Sequence, residues 1–245
     1  MLFLFLCAGN IWNFFFNPKY INDFSHKIAT IWGKSVLYFT PGWSFSMEGR
    51  CYLPKEGEKA AVVVGNHQSA VDICVMLAAN FPFRWLSKSD VFKVPIVGWG
   101  MKLAGYVPVE RGNKRSQKKA LEDSAEWIRK NVSMVFFPEG SRSETGDVGN
   151  FKSGAFRLAI GTDVPIIPVA IIGSRNLMKK NSIIPTKASV HLKILPPTKQ
   201  KEGETLEKFI NRIRESISYE ITSCNNCPQL LEDKTINQAN VISSY

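Results

Sequence analysis

From Lys59 onward, apolar positions fall into two alternating styles. Short runs rich in valine, isoleucine and phenylalanine read as strands: Ala60–Val64, Phe83–Leu86, Tyr106–Glu110, Val132–Phe137, Ile166–Ile172 and Ala188–Leu195. Between them lie helical stretches. Val71–Ala79 is apolar on all sides and predicts a buried helix, while Ala120, Leu121, Ala125 and Ile128 recur at helical spacing in a helix that Asn113 can cap and that runs to Lys130. Further helices are expected over Pro95–Ala104, Lys152–Ile160 and Thr205–Ile221. This alternation predicts an α/β domain over residues 46–223, followed by a polar tail at 224–245.

The first 45 residues obey a different pattern. They hold thirteen of the chain's aromatic residues, against fifteen in the remaining 200. Leu2–Phe16 is apolar apart from Asn10 and Asn13, yet fifteen helical residues reach only about 22 Å, short of the roughly 30 Å hydrocarbon core. A basic n-region and a small-residue cleavage site are both missing, which argues against a secretory signal. A second stretch, Ile28–Phe45, mixes aromatics with Lys27 and Lys34, a composition suited to the headgroup level of a bilayer. The expectation is a segment over residues 1–45 made of two short helices embedded in one leaflet. A single tilted span and a helical hairpin packed on the domain are the alternatives.

Composition narrows the class. A hydrophobic fraction of 44%, a charged fraction of 21% and a mean hydropathy of -0.08 are ordinary globular values and exclude wholesale disorder and a polytopic membrane protein. The net charge of +10 favours an anionic partner: nucleic acid, an anionic lipid surface or a phosphorylated substrate. Aromatics are not interleaved with the basic runs, so no nucleic acid is expected. Five scattered cysteines suit a reducing compartment. The lone Cys224-x-x-Cys227 pair lacks the further ligands of a zinc site, so no metal is expected.

Of three histidines, only His67 stands where a strand meets a helix, in VVVGNHQSAVDICV. Such turns at the carboxyl edge of a sheet are where α/β folds place their chemistry. In one continuous helix Asp72 would point about 140° away from His67, so the two meet only if the chain turns between them. A helix beginning at Ser69 supplies that turn and lets Asp72 hold the imidazole as a base. Equally, Ser69-Ala70-Val71-Asp72 is a capping-box pattern in which Asp72 only satisfies backbone N–H groups. A second constellation is VFFPEGSRSETG: Gly140 permits close backbone approach, Ser141 offers a hydroxyl and Arg142 can grip a phosphate, or the loop is an ordinary turn. A third is GYVPVERG, which delivers Arg111. Walker loops, G-x-S-x-G elbows and complete dinucleotide fingerprints do not occur.

Together these pieces resemble the glycerolipid acyltransferase family. Asn66-His67 to Asp72 looks like the family's N-H-x4-D block, Gly105 to Arg111 its G-x-x-F-I-x-R block, Phe137 to Arg142 its F-P-E-G-T-R block, and Val164 to Pro168 its V-P-I-I-P block. Ser141 replaces the threonine and Pro108 the phenylalanine. The resemblance implies a mixed central sheet flanked by helices, and direct acyl transfer from a thioester to the free hydroxyl of lysophosphatidate. It further implies His67 and Asp72 as the catalytic pair and Arg111, Glu139, Gly140, Ser141 and Arg142 as acceptor-binding residues, with Glu139 orienting the glycerol or bracing the loop. Acyl-CoA or acyl carrier protein thioester would be the co-substrate, with no permanent cofactor. A membrane protein, anchored at its N-terminus with the active site on the cytoplasmic face, is expected. Glycerol 3-phosphate, dihydroxyacetone phosphate or another lysophospholipid are the alternative acceptors, and a catalytically silent lipid-binding protein is the alternative of another class. Cys74, the thiol nearest the dyad, reads as core.

Overall fold

The computed structural model describes residues 18–143, 146–177 and 186–225. Helix α1 (Pro18–Phe39) leads into strand β1 (Trp43–Glu48). There follow β2 (Val62–Gly65), α2 (Asp72–Ala78), β3 (Phe83–Lys88), α3 (Val97–Leu103), β4 (Val107–Val109), α4 (Lys114–Arg129) and β5 (Ser133–Phe136). The chain continues through α5 (Gly154–Gly161), β6 (Ile166–Ile172), the single turn α6 (Ser174–Leu177), β7 (Ala188–Ile194) and α7 (Leu206–Asn225).

The seven strands form one mixed sheet in the order β1-β7-β6-β2-β5-β3-β4. β4, β3, β5, β2 and β6 run parallel, and β7, with β1 parallel to it, runs the other way. The pleat sends alternate residues to opposite faces and so builds two cores. Val63, Val135 and Ile167 face one core with Leu37 of α1 and Val75 and Met76 of α2. Val62, Val64, Met134 and Phe136 face the other, with Ile128 of α4, Phe156 of α5 and Phe209, Ile213 and Ile217 of α7. The chain therefore leaves neighbouring strands β2 and β5 toward opposite faces. That divergence opens a crevice at their carboxyl ends, the place where open α/β sheets bind ligands.

The strands and helices expected from Lys59 onward all occur, with ends displaced by up to a few residues. The N-terminal region differs from expectation. Leu2–Phe16, expected to embed, lies outside the described residues, as does the tail beyond Asn225. The second expected helix starts at Pro18 rather than Ile28, with proline in the first helical position where its missing N–H costs nothing. Trp43 and Phe45, read in the sequence as part of the anchor, stand on β1 in register with Ala188 and Val190. Among the described residues no helix is long and apolar enough to cross a membrane.

Candidate active site at the carboxyl edge of the sheet

β2 delivers His67. Just beyond the strand, the fully buried Asn66 donates from Nδ2 to the Ile171 carbonyl (2.9 Å) and accepts the Ile171 N–H at Oδ1 (2.8 Å), so its amide extends the sheet by one rung and fixes the exit of the chain. The chain then turns. Asp72 N–H reaches back to the Ser69 carbonyl and Ile73 N–H to that of Ala70, and α2 begins at Asp72. The turn brings the two side chains together: His67 donates from Nδ1 to Asp72 Oδ2 at 2.7 Å. That same oxygen accepts the N–H groups of Gln68 (2.7 Å) and Ser69 (2.9 Å). Asp72 thus satisfies N–H groups of the loop and holds the imidazole at once, and the two readings of the sequence are one arrangement. Its side chain is 0% exposed and that of His67 17%. With Nδ1 committed to the carboxylate, Nε2 keeps the free lone pair a general base requires. The imidazole stacks on Phe137, centroids 4.4 Å apart, which holds the ring plane.

β5 delivers the second loop. Glu139 accepts the His67 N–H at Oε1 (2.8 Å) and the Gly149 N–H at Oε2 (3.1 Å), so one carboxylate braces the backbone of the His67 loop against its own loop. Burial raises the Glu139 pKa above the ordinary glutamate value, and the two N–H donors pull it back. Ser143 N–H donates to the His67 carbonyl at 2.8 Å, which draws the Arg142 segment alongside. Gly140 sits at φ +76°, a left-handed conformation, and a methyl group there would meet the Lys152 ammonium. Lys152 is therefore a cation at this loop that the sequence reading missed. It follows the motif by ten positions, and only the fold returns it, through its N–H to the Pro138 carbonyl.

Ser141 and Arg142 are exposed. Arg111 is exposed too, beyond β4 at the same sheet edge but three strands from β2, or about 14 Å of strand spacing. Neither arginine has a hydrogen-bond or ion-pair partner among the described residues. The fourth sequence block forms the start of β6, where Ile166 and Ile167 pair with Val62 and Val63, and so supports the His67 strand rather than lining the crevice. The other histidines are core: His26 contacts Tyr106 Oη and the Phe81 carbonyl, and His191 contacts Ser46. Cys74 is buried, and burial pushes its thiol up to about 11, far from nucleophilic use. Among the described residues no group of three or more His, Cys, Asp or Glu side chains could hold a metal ion.

The chain has known relatives. Residues 44–172 match the family model described as acyltransferase. The chain is 37% identical over 181 residues to the chloroplastic 1-acyl-sn-glycerol-3-phosphate acyltransferase LPAT1 of Arabidopsis thaliana, covering 74% of this chain and 50% of that protein. It is 30% identical over 203 residues to the 1-acyl-sn-glycerol-3-phosphate acyltransferase of Saccharomyces cerevisiae, covering 74% of this chain and 67% of that one. The chain spans about half the length of the plant chloroplast relatives it matches. Among solved structures, the 1-acyl-sn-glycerophosphate acyltransferase PlsC from Thermotoga maritima superposes with a TM-score of 0.70 at 26% identity, over 90% of this chain and 89% of that one.

Proposed function

The chain belongs to the acyltransferase family, and from that premise we propose that it transfers an acyl group from a thioester to the free hydroxyl of 1-acylglycerol 3-phosphate, giving phosphatidic acid. The observation that carries this reading is the pairing of His67 Nδ1 with the buried Asp72 carboxylate at 2.7 Å, on a ring that remains open at the sheet edge. His67 Nε2 takes the proton from the acceptor hydroxyl as its oxygen attacks the thioester carbonyl. The tetrahedral intermediate then expels the thiolate, which takes the same proton back from the imidazolium. Asp72 keeps the ring in the required tautomer and stabilises its charged form. Arg142 and Lys152, with Arg111 reaching in from the far side, hold the acceptor phosphate. The buried Cys74 supports direct transfer without an acyl-enzyme.

The acceptor carries its own chain in a bilayer, and the fold offers a surface to meet it. β1 runs opposite to β2, so the end of α1 that leads into Trp43 lies at the same sheet edge as His67. α1 exposes Tyr20, Phe24, Ile28, Ile31, Trp32 and Phe39 along its length, and Ile96, Trp99 and Leu103 in and beside α3, which packs on α1, add to them. Apolar side chains in such a band suit insertion into one leaflet beside the crevice.

The test is an acceptor panel with purified full-length protein and labelled acyl-CoA or acyl carrier protein thioester. Label should enter phosphatidic acid from 1-acylglycerol 3-phosphate, and enter poorly from lysophosphatidylcholine, whose phosphate is capped. Preference for glycerol 3-phosphate or for the capped lipid would overturn the proposed substrate.

A further inference from the structure

A cavity of about 400 Å³ lies away from His67, at the edge where β3 and β5 begin, within the roughly 300–1,000 Å³ of small-molecule sites. Six basic side chains line it, Lys19, Lys27, Arg50, Lys55, Arg84 and Lys130, against the carboxylates Asp23 and Glu56. They come from α1, the segment after β1, the start of β3 and the turn before β5, so no single helix face explains their convergence.

Arg84 forms part of the wall. Its side chain is fully buried, donating from Nη2 to Asp23 (2.7 Å) and from Nη1 to the Phe83 carbonyl (2.8 Å), while Nε has no hydrogen-bond partner among the described residues. The guanidinium also lies over the Trp127 ring, 4.8 Å from its centroid, and a buried charge served by one carboxylate and one ring is still costly. The Asp23 pair ties α1 to β3 and so accounts for those two residues. It does not account for Lys27, Lys55 and Lys130, whose ammonium groups have no carboxylate partner among the described residues, Lys130 lying over the Trp127 ring, yet which gather around the same space. The space between them offers an anion several charge-assisted contacts at once.

Helix α1 indicates the source of that anion. Lys19, Asp23, His26, Lys27 and Thr30 line the cavity, whereas the exposed apolar row Tyr20, Phe24, Ile28 and Ile31 sits one residue further round, or about 100°. The cavity therefore opens beside the helix face read above as lying in the bilayer, at the end of α1 remote from the crevice. We propose that it binds a phosphate-bearing anion, and that the natural occupant is the headgroup phosphate of a membrane lipid. Held at one end of α1, that headgroup fixes the tilt of the helix and so presents the His67 edge to the interface. The lipid source rests on the membrane reading of α1; the anion site does not.

The test uses the full-length protein and three preparations: the Lys27→Ala, Lys55→Ala, Lys130→Ala triple variant, a control of equal charge loss at Lys118, Lys119 and Lys208, and Arg142→Ala. Binding is measured calorimetrically to glycerol 3-phosphate, and by flotation to phosphatidylcholine vesicles with and without phosphatidate. Losing even one charge-assisted contact should weaken phosphatidate-dependent binding about tenfold or more. That loss is expected in the cavity triple alone, with acyl transfer to short-chain monomeric acceptors unchanged. Equal losses in both triples would reduce the effect to general electrostatics and overturn the site, as would loss in Arg142→Ala with the cavity triple binding like wild type. Cavity-dependent binding of glycerol 3-phosphate without cavity dependence on vesicles would overturn the lipid assignment. Failure of wild type to bind plain phosphatidylcholine vesicles would overturn the membrane reading separately.

Discussion

One oxygen of Asp72 accepts three donors, and the chemistry of the site follows from that convergence. In Asp72→Asn, whichever amide atom faces the loop, the ring loses the carboxylate that stabilises its charged form. Turnover should fall about 10²–10⁴-fold, while the melting temperature drops by only a few degrees because the amide oxygen can still cap Gln68 and Ser69. A large loss of stability with activity retained would reduce Asp72 to a cap. Glu139 is read differently from Asp72, since its partners are two backbone N–H groups. Glu139→Gln sets an amide N–H against one of them, so kcat should fall with acceptor KM little changed. A selective rise in acceptor KM would instead make Glu139 a glycerol contact. Arg142→Ala should do the reverse, raising KM for the acceptor by the roughly 1.5–3 kcal/mol of a charge-assisted contact and leaving the donor KM alone. At this scale the sequence was most legible. His67, Asp72 and the Glu139–Arg142 loop are short-range patterns, whereas Lys152 joins the site only by chain return.

Among the elements, α1 depends on close approach to α2. A methyl group on Gly33 would lie 2.6 Å from Leu77 Cβ, with the Cys74 carbonyl close behind. Gly33→Ala gains about 1 kcal/mol of helix propensity but overpacks a rigid contact at about 1–3 kcal/mol, so the net effect should be destabilising. A raised melting temperature would show the contact to be loose. His26, on the inner side of α1, is held to about 4 by burial and the Arg84 charge, against 6.5 in an exposed chain. Between those values the unfolded state binds a proton that the native state refuses, so stability falls as pH drops through this window, by about 3 kcal/mol over its width. Comparing thermal melts of wild type and His26→Gln should show that slope reduced in the variant. Identical pH profiles would contradict the assignment. β2, β6 and the Asn113 cap of α4 were readable because their signals are local. β1 was not, because Trp43 and Phe45 continue an aromatic run in the sequence, and only the pairing with β7, about 145 residues away, makes them strand. α1 was misplaced for a related reason: aromatic content cannot tell the face packed on α2 from the face left outside.

For the molecule as a whole, the order of seven strands is a non-local property that no run of residues declares, yet it is what opens the crevice between β2 and β5. Sequence blocks announced the loops of the site without revealing that the fourth block is the neighbouring strand. The net charge of +10 likewise gave a class of partner and not a location. In the proposed orientation Trp32 of α1 and Trp99 of α3, 55% and 64% exposed, enter the bilayer together. Replacing both with serine should weaken vesicle binding tenfold or more, since each large apolar side chain contributes roughly 1.5–3 kcal/mol, and high salt should not mimic the effect. Binding unchanged by the substitutions would place the membrane face elsewhere. The most direct test of the central claim is the rate of acyl transfer to 1-acylglycerol 3-phosphate by purified His67→Ala beside wild type, both verified as folded. Removal of the base should cost at least about 10²-fold in kcat. A variant that keeps more than about a tenth of the wild-type rate would contradict general-base catalysis by His67.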